Sequence, residues 1–361
     1  MTAETKIRPM RDEEKPAVRD IMRRSFPLVQ RWFFSFTPHV LVAETGGKIQ
    51  GAVVLKLFAL PRGRRGGLMY WAFTRPDTRG QGVGRQLFDA GIRFLEEQGC
   101  DEILGCVEGN NTSSSNLLAA RGFEILSPGR QLRRWGLHTP LVWLKIFHYI
   151  DIGHFVWAHP GPGRADSAPL QWWGNLAMNS LLLFLVFWRL KGAAFFASSL
   201  CYEIPVVLGV FFGVRELAMR LVTRGHGLAV RYRAWESAFP LGLALAAGPA
   251  WWFPILGSVY PAAPSWRYRD AIRKLGPVAA AGGLALLLLS WGAWALLRWA
   301  AIPPMVLPFI KLTATLGPLA ALFDIALPFF PFVSFNGRRI WDWSRPAWVV
   351  LAVLAVARLF V

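Results

Sequence analysis

The sequence predicts two folds in one chain: an α/β domain followed by an all-α, multi-pass membrane domain. In the first part, an apolar β-like run at residues 67–74 precedes a glycine-rich hexamer at 79–84, a helical pattern at 85–98 and a second strand pattern at 102–107. In the second part, apolar stretches approach the ~20 residues that a helix needs to cross a bilayer. The chain has 361 residues, is 54% hydrophobic and contains 18 tryptophans, which exceeds the apolar content expected of two soluble domains.

The hexamer Arg-Gly-Gln-Gly-Val-Gly lies between a strand and a helix, where it can form a binding site for an anion. Backbone N–H groups of such a loop and of the helix N-terminus point at one place and carry partial positive charge. Glycine lets the backbone approach a diphosphate closely because it has no Cβ atom. Arg79 and Arg85 add positive charge beside it. Similar hexamers also occur in ordinary turns, so the surrounding sequence has to decide between the two interpretations.

That surrounding sequence carries a second spaced motif. The loop pattern Arg/Gln-x-x-Gly-x-Gly/Ala is met by Arg79, Gly82 and Gly84. The downstream pattern is met by Asn111, Leu117, Gly122 and Phe123. On these residues, positions 5–128 resemble the GNAT superfamily of acyl-CoA-dependent N-acetyltransferases.

Earlier segments fit the same resemblance. Residues 7–10 suit a first strand, 13–25 a helix, and 39–44 with 49–58 a hairpin over two glycines. The resemblance implies a mixed central sheet flanked by helices, over residues 1–135. It also implies that acetyl-CoA is the acyl-donor substrate, with its pyrophosphate on the loop amides. Asn111 would help to hold the pantetheine or order the nearby splay of the strands. The implied binding residues are Phe73, Thr74, Arg79, Gly80, Gln81, Gly82, Val83, Gly84, Arg85 and Asn111.

The sequence does not identify a catalytic residue. In much of this family a tyrosine next to the position of Leu117 protonates the departing thiolate, but this chain has Leu118, which has no proton to donate. The strand before the loop offers only Tyr70 as a titratable group, and that residue also suits a core position. Without a placed acid or base, the reaction would lose about 10²- to 10⁴-fold in rate, although water or a group from the second domain could substitute.

The membrane domain is expected over residues 171–361. Its near-spanning apolar stretches are 176–190, 194–214, 277–297 and 306–330, with a shorter one at 347–361. The intervening stretch 238–260 is interrupted by prolines, so we expect a re-entrant or broken hairpin packed against protein. Between the domains, at 136–170, we expect an amphipathic helix over 141–158 in the headgroup region and a Pro/Gly linker.

The formal net charge of +18 would suggest nucleic acid for a soluble chain. Here the basic residues fall mainly between the apolar stretches, which favours positive-inside placement in a membrane and contact with lipid instead. The first 24 residues are charged throughout and do not look like a cleaved signal. We therefore expect a multi-pass protein of the cytoplasmic membrane with its first domain in the cytoplasm, where acetyl-CoA is found.

Two segments of the membrane domain are similar to motifs of a second family. Residues 213–219 are expected on a helix, and residues 331–337 are expected to form a proline-containing turn at the same membrane boundary. With residues 231–242, they make the region 194–348 resemble the intramembrane site-two metalloproteases. In that family one helix carries His-Glu-x-x-His and a later turn carries Pro-x-x-Pro-Leu-Asp-Gly.

By position, the zinc ligands of that family are missing here. Arg215 and Met219 replace the two histidines, Asn336 replaces the aspartate, and only Glu216 remains. Arginine cannot lose its proton, methionine sulfur binds zinc poorly, and a neutral amide offsets no charge. We therefore expect no zinc, and Glu216 then has no polarised water to deprotonate.

Two further expectations concern charges inside the apolar segments. Arg215 is expected to pair with Glu216 or with a lipid phosphate, or to extend towards the membrane interface. Asp324 and Lys311 share one apolar stretch, and we expect them to pair or to line a polar cavity.

The leading functional hypothesis is a membrane-anchored N-acetyltransferase that acts on an amine, with a proteolytically inactive membrane domain. The amine is unidentified; the membrane location favours an amino lipid, a peptide N-terminus or a lysine of a membrane protein. A second hypothesis is an acetyl-CoA-binding sensor or scaffold with a pseudoprotease membrane domain. Active proteolysis is a third, and it requires zinc in the purified chain.

Overall fold

The computed structural model describes residues 4–78, 80–149, 152–161, 163, 167–263 and 265–361. The chain divides into two compact units. The first comprises Met1–Val107, Ser113–His148 and Phe155–Ala165. The second comprises Glu108–Thr112, Tyr149–His154 and Asp166–Val361.

A mixed seven-stranded sheet organises the first unit, with the spatial order β1-β2-β3-β4-β5-β7-β6. The strands are β1 Lys6–Pro9, β2 His39–Thr45, β3 Lys48–Ala59, β4 Arg65–Thr74, β5 Glu102–Glu108, β6 Glu124–Ile125 and β7 His154–His159. The helices are α1 Lys15–Ser25, α2 Leu28–Arg31, α3 Val83–Glu97, α4 Thr112–Ala119, α5 Pro128–Trp135 and α6 Thr139–Ile146. The mixed α/β fold that the sequence predicts is confirmed.

Strands β4 and β5 run parallel but separate before they end. Their register runs from Gly66 opposite Glu102 to Met69 opposite Gly105 and stops there. Strand β4 continues to Thr74 while still paired with β3. The last residues of β4 and β5 therefore have no register with each other, and the sheet opens at the carboxyl ends of these two strands.

Helix α1 packs on this sheet through residues three and four positions apart. Pro16 lies in its first turn, where a missing N–H costs nothing. Val18, Ile21 and Met22 are buried and contact a cluster from β2, β3 and β4 that includes Phe73. The buried face follows the helical period, so the local pattern and the packing agree.

An ion pair joins β1 to the turn before α1. The Arg8 guanidinium donates hydrogen bonds to both carboxylate oxygens of Glu14 and, through Nε at 2.7 Å, to Glu44 Oε2. The hydrogen bonds from Arg8 lower the pKa of Glu14 to about 2, from an ordinary value of 4.5.

We expect Glu14→Gln to reduce the acid sensitivity of the first unit. A lowered pKa stabilises the folded state above the unfolded pKa, and that contribution is lost as pH falls from 4.5 towards 2. Thermal unfolding between pH 6 and about 2 measures it. Glu13→Gln, at an exposed neighbouring position, should keep the wild-type pH dependence. Equal slopes for wild type and Glu14→Gln would contradict the assignment.

The stretch 141–158 is not the single amphipathic helix that we expected from the sequence. Helix α6 ends at Ile146, and Phe147 follows it with a left-handed φ of +60°. Residues 154–159 form β7 instead, whose Trp157 and Ala158 pair with β6. Its four central residues, Phe155, Val156, Trp157 and Ala158, are all buried, so this part of the predicted linker is a strand of the first fold. Residues 150 and 151 lie outside the described ranges.

The second unit is largely helical. Its helices are α7 Ala168–Lys191, α8 Leu200–Gly225, α9 Phe239–Ala247, α10 Tyr268–Trp299, α11 Leu307–Ala321, α12 Asn336–Trp343 and α13 Arg345–Ala357. A π-helical turn, Leu322–Ala326, extends α11. Two short antiparallel strands, β8 Val230–Arg233 and β9 Ser258–Pro261, complete the described part of this unit.

Three helical stretches within the described residues are long and apolar enough to cross a membrane: Ala168–Phe195, Tyr268–Trp299 and Leu307–Ala326. The predicted stretch 194–214 is not among them. The chain turns at Gly192–Phe195, and α8 begins only at Leu200. That helix carries three charged side chains within its apolar part, namely Glu203, Arg215 and Glu216.

The proline-interrupted region 238–260 contains the short helix α9, then irregular backbone, and ends in strand β9. Two asparagines of α7 bond this backbone. Asn179 Nδ2 donates to Ile255 O at 2.9 Å, and Ile255 N donates to Asn179 Oδ1 at 3.1 Å. Asn175 Nδ2 also donates to Ile255 O, at 2.9 Å, and to Tyr232 Oη. Irregular backbone buried in a helical unit needs such partners, because an unpaired peptide group there is costly.

Candidate functional site

The glycine loop leads from β4 into α3 with a left-handed backbone. Gly80 has a φ of +85° and Gly82 a φ of +81°, values that glycine adopts without strain. Helix α3 begins at Val83, and the bond that closes its first turn runs from Gln86 N to Gly82 O at 3.1 Å. The N–H groups of residues 83–85 precede that bond and have no partner one turn earlier in the helix. They form a short row of donors at the positive end of the helix dipole.

The same loop packs against the end of β4 and against α4. A Cβ atom on Gly84 would lie 3.9 Å from both Thr74 Cγ2 and Leu117 Cδ1. Phe73 is buried in the core, and the Thr74 carbonyl accepts a hydrogen bond from Ser25 Oγ at 3.1 Å. The structure therefore places Thr74 at the end of β4 next to Gly84 in the first turn of α3.

Four of those residues need separate mention. Gln81 and Arg85 are exposed. Gln81 N donates to Thr78 O at 3.3 Å, and the Arg85 carbonyl accepts from Arg121 Nη2 at 3.0 Å. Arg79 lies outside the described residues. Asn111 donates from its backbone N–H to Glu108 O at 2.9 Å, in the segment that groups with the second unit. Binding of acetyl-CoA by these residues stays a prediction.

The end of β5 carries a titratable group that the sequence analysis missed. Glu108 Oε1 accepts hydrogen bonds from Asn110 N at 2.9 Å and from Ser334 Oγ at 3.0 Å. Burial raises the pKa of Glu108 above that of an ordinary carboxyl. A single acidic residue three positions before Asn111 was the signal available in the sequence. Its side-chain donor Ser334 lies 226 positions further along the chain.

The family comparison agrees with this geometry. Residues 7–123 match the family model of the acetyltransferase (GNAT) family. This part of the chain is a GNAT acetyltransferase domain. GNAT proteins are acyltransferases that act on amino groups, and their homologues bind acetyl-CoA or CoA. The helical region that follows the GNAT domain is not assigned by this match.

Two curated relatives are similar to the GNAT domain. Mycothiol acetyltransferase of Renibacterium salmoninarum is 29% identical over 97 residues, which are 27% of this chain and 29% of that protein. The L-methionine sulfoximine/L-methionine sulfone acetyltransferase of Pseudomonas aeruginosa is 28% identical over 114 residues, which are 29% of this chain and 66% of that protein. The chain thus spans less than two thirds of the length of these relatives.

Solved structures are also similar to the GNAT domain. A chain of the NatC complex bound to Gag peptide and CoA is 20% identical, with a TM-score of 0.32; the match covers 43% of this chain and 97% of that one. A GNAT family N-acetyltransferase from Escherichia coli in complex with CoA is 23% identical, with a TM-score of 0.28, covering 35% and 71%.

The position that holds a tyrosine in much of the GNAT family is a core position here. Leu118 is 1% exposed, and its side chain lies against Gly105 of β5. Tyr70, the other candidate from the sequence, donates its hydroxyl to Phe33 O at 3.3 Å and stacks on Phe147 with ring centroids 5.3 Å apart. Both side chains make structural contacts, so neither is assigned as the acid of the reaction.

A second polar cluster lies within the helical unit. Asp324 accepts two hydrogen bonds from Arg215, at 2.9 and 3.0 Å, and one from Asn336 Nδ2 at 2.9 Å. A Cβ atom on Gly282 would lie 2.8 Å from Met219 and 3.1 Å from Asn336 Nδ2. Positions 215, 219 and 336, which the protease resemblance aligns with zinc ligands, therefore lie close together.

This cluster corrects the expected ion pairs. Arg215 pairs with Asp324 and not with Glu216, which bonds Arg220 at 2.6 Å instead. Asp324 consequently pairs with Arg215 and not with Lys311. Among the residues that the structure describes, no group of three or more His, Cys, Asp or Glu side chains could hold a metal ion.

Proposed function

We propose that this chain is a membrane-anchored N-acetyltransferase that transfers the acetyl group of acetyl-CoA to an amine. The observation that carries the proposal is the left-handed backbone at Gly80 and Gly82, directly before the N-terminus of α3. That backbone leaves a row of amides for the CoA pyrophosphate at the point where β4 ends.

The separation of β4 from β5 after Met69 supplies room for the thioester. Backbone groups of β4 beyond that residue are not paired with β5, so an amide there can polarise the acetyl carbonyl. The neutral amine attacks this carbonyl and forms the C–N bond. The C–S bond then breaks, and CoA leaves as a thiolate. The nitrogen loses one proton and the thiolate gains one.

Glu108 is our candidate for the group that accepts the proton from the amine. It lies at the carboxyl end of β5, and its raised pKa brings a carboxylate closer to the strength that a base needs near neutral pH. Because Leu118 has no proton to give, we expect water to protonate the thiolate.

We expect Glu108→Gln to lower kcat by about 10²- to 10⁴-fold, the usual contribution of a placed base. Since burial raises the pKa of Glu108, the carboxylate forms only above that pKa, and the wild-type rate should increase as pH rises through it. Glu108→Gln should lack this increase for the same amine. Glu97→Gln, exposed in the last turn of α3, is the matched control. Identical pH profiles for wild type and Glu108→Gln would exclude Glu108 as the base.

Membrane anchoring is supported by the three long apolar helices of the second unit. Basic residues cluster at the ends of several of the helices, as in Arg220 and Arg224 on α8 and Arg269, Arg273 and Lys274 on α10. This pattern favours placement of these ends on the cytoplasmic side, next to anionic lipid. The GNAT domain then acts in the cytoplasm on an amine near the membrane.

A second candidate function is an acetyl-CoA-binding sensor with a pseudoprotease membrane domain. The pairing of Arg215 with Asp324 favours it, because a guanidinium occupies the place where the protease resemblance would put a metal. The buried Leu118 favours it as well.

One experiment separates the two functions. The purified full chain, in detergent or vesicles, is incubated with labelled acetyl-CoA and a panel of amines. The panel contains free amino acids, since one similar enzyme is named for methionine derivatives, with peptide N-termini and amino lipids. Transfer above the uncatalysed background supports the acetyltransferase. Tight CoA binding without transfer to any amine supports the sensor. Elemental analysis for zinc tests the remaining possibility of proteolysis.

A further inference from the structure

A fully buried arginine holds the segment 108–112, which follows β5. Arg339 of α12 is 0% exposed. Its Nη2 and Nε donate to Asn110 Oδ1 at 3.0 and 3.3 Å. Its Nη1 donates to Ser258 Oγ at 3.1 Å and to Val259 O at 2.8 Å. All of these residues belong to the second compact unit.

The acceptors of Arg339 are unusual for a buried arginine, because they are neutral. Its guanidinium also lies 4.6 Å from the centroid of the Tyr260 ring. Burying a guanidinium costs free energy that an apolar residue would avoid, and the planar fork returns that cost only when its donors have well-placed acceptors. The four donated bonds hold Asn110 at a set place relative to β9. They thereby restrict the backbone of residues 108–112, to which Asn110 belongs.

Three more contacts hold the same segment. Ser334 Oγ donates to Glu108 Oε1, Tyr268 N donates to Thr112 Oγ1 at 3.1 Å, and Gly109 N donates to Gly153 O at 3.1 Å. Glu108, Gly109, Asn110 and Thr112 thus each have a hydrogen bond to a distant part of the second unit. Asn111, the residue predicted to contact pantetheine, lies in the middle of this segment.

We infer that Arg339 is a positioning residue for acetyl-CoA: it sets the conformation of residues 108–112 and thereby the place of Asn111. This inference rests on the proposed function in one respect, namely that Asn111 contacts the pantetheine arm.

The test compares two ligands on the full-length chain by calorimetry. CoA carries the pantetheine arm, whereas adenosine 3′-phosphate 5′-diphosphate has the same nucleotide end without it. Arg339→Gln should weaken CoA binding by about tenfold or more, the worth of hydrogen bonds to a charged group, and leave binding of the nucleotide fragment unchanged. Arg338→Ala removes the neighbouring exposed arginine, which bonds Asp342, and should bind both ligands as wild type does.

Asn110→Ala is the second variant. It removes the oxygen that accepts two hydrogen bonds from Arg339 and leaves the arginine itself in place. It should show the same selective loss for CoA if Arg339→Gln does not fold. Equal weakening of both ligands would indicate a general structural defect and overturn the positioning role, as would unchanged CoA affinity. A wild-type chain that binds neither ligand would overturn the proposed function itself, which is a different outcome.

Discussion

Replacing Gly82 with valine should abolish CoA binding. Gly82 has a φ of +81° directly before the first residue of α3, and a β-branched side chain is strongly disfavoured at that φ. A Cβ atom there would meet nothing within 4 Å, so the effect comes from backbone conformation and not from a clash. Valine would force the loop out of the left-handed region and move the amides of residues 83–85 away from the pyrophosphate. We expect the Kd for CoA, measured by calorimetry, to rise by at least about 100-fold.

Gly99 provides a matched control for this substitution. It lies just past the other end of α3, has a φ of +69° and also has nothing within 4 Å of a built Cβ atom. Gly99→Val should therefore lower the melting temperature about as much as Gly82→Val does and leave CoA affinity unchanged. Gly82→Asn should retain part of the binding, because asparagine tolerates a positive φ better than other side chains. Wild-type affinity in Gly82→Val would remove the loop from the CoA site.

These two glycines also show why the first fold could be predicted from sequence. The predicted helix 85–98 is α3, Val83–Glu97, and glycines with positive φ stand at both of its ends. The predicted strand 102–107 is β5 with one residue added. Short-range signals decide such elements, since a glycine with a positive φ commonly marks the end of a helix through local geometry alone.

Elements that depend on distant partners could not be predicted in the same way. Strand β7 pairs with β6, which has only two residues. About 30 residues of sequence separate the two strands, so local sequence does not indicate the pairing. Its sequence, His-Phe-Val-Trp-Ala-His, is apolar and aromatic enough to suit a membrane interface, and we assigned it there. The environment of Glu108 could not be predicted for the same reason. A single acidic residue forms no sequence pattern, and its hydrogen bond from Ser334 joins residues that are 226 positions apart.

The expected pairing of Arg215 failed for a related reason. Helical neighbours such as Glu216 and Arg220 can be read from spacing alone, and that pair forms at i, i+4. Arg215 instead reaches Asp324, 109 positions away, on the π-helical turn after α11. Nothing in the local sequence of either residue specifies the other.

Replacing Arg215 with alanine should strongly destabilise the helical unit. Asp324 is 0% exposed and, among the described residues, would keep the amide of Asn336 as its hydrogen-bond donor, so a buried carboxylate would lose its counter-charge. Breaking a buried ion pair on one side typically costs about 3–5 kcal/mol. We expect a large fall in the melting temperature of the detergent-solubilised chain. Arg220→Ala, on the same helix but half-exposed, should cost at most about 1 kcal/mol.

A paired substitution then separates the charge from the packing. Arg215→Met with Asp324→Leu removes both charges and keeps apolar bulk, and such replacements are often neutral or stabilising because the pair no longer has to be desolvated. The double variant should therefore recover most of the stability that Arg215→Ala loses. If the double variant recovers stability and binds CoA as wild type does, the ion pair stabilises the second unit and has no separate role in CoA binding. A double variant as unstable as Arg215→Ala would mean that the loss of stability does not come from the unpaired carboxylate of Asp324. The Arg215 side chain would then stabilise the unit through other contacts.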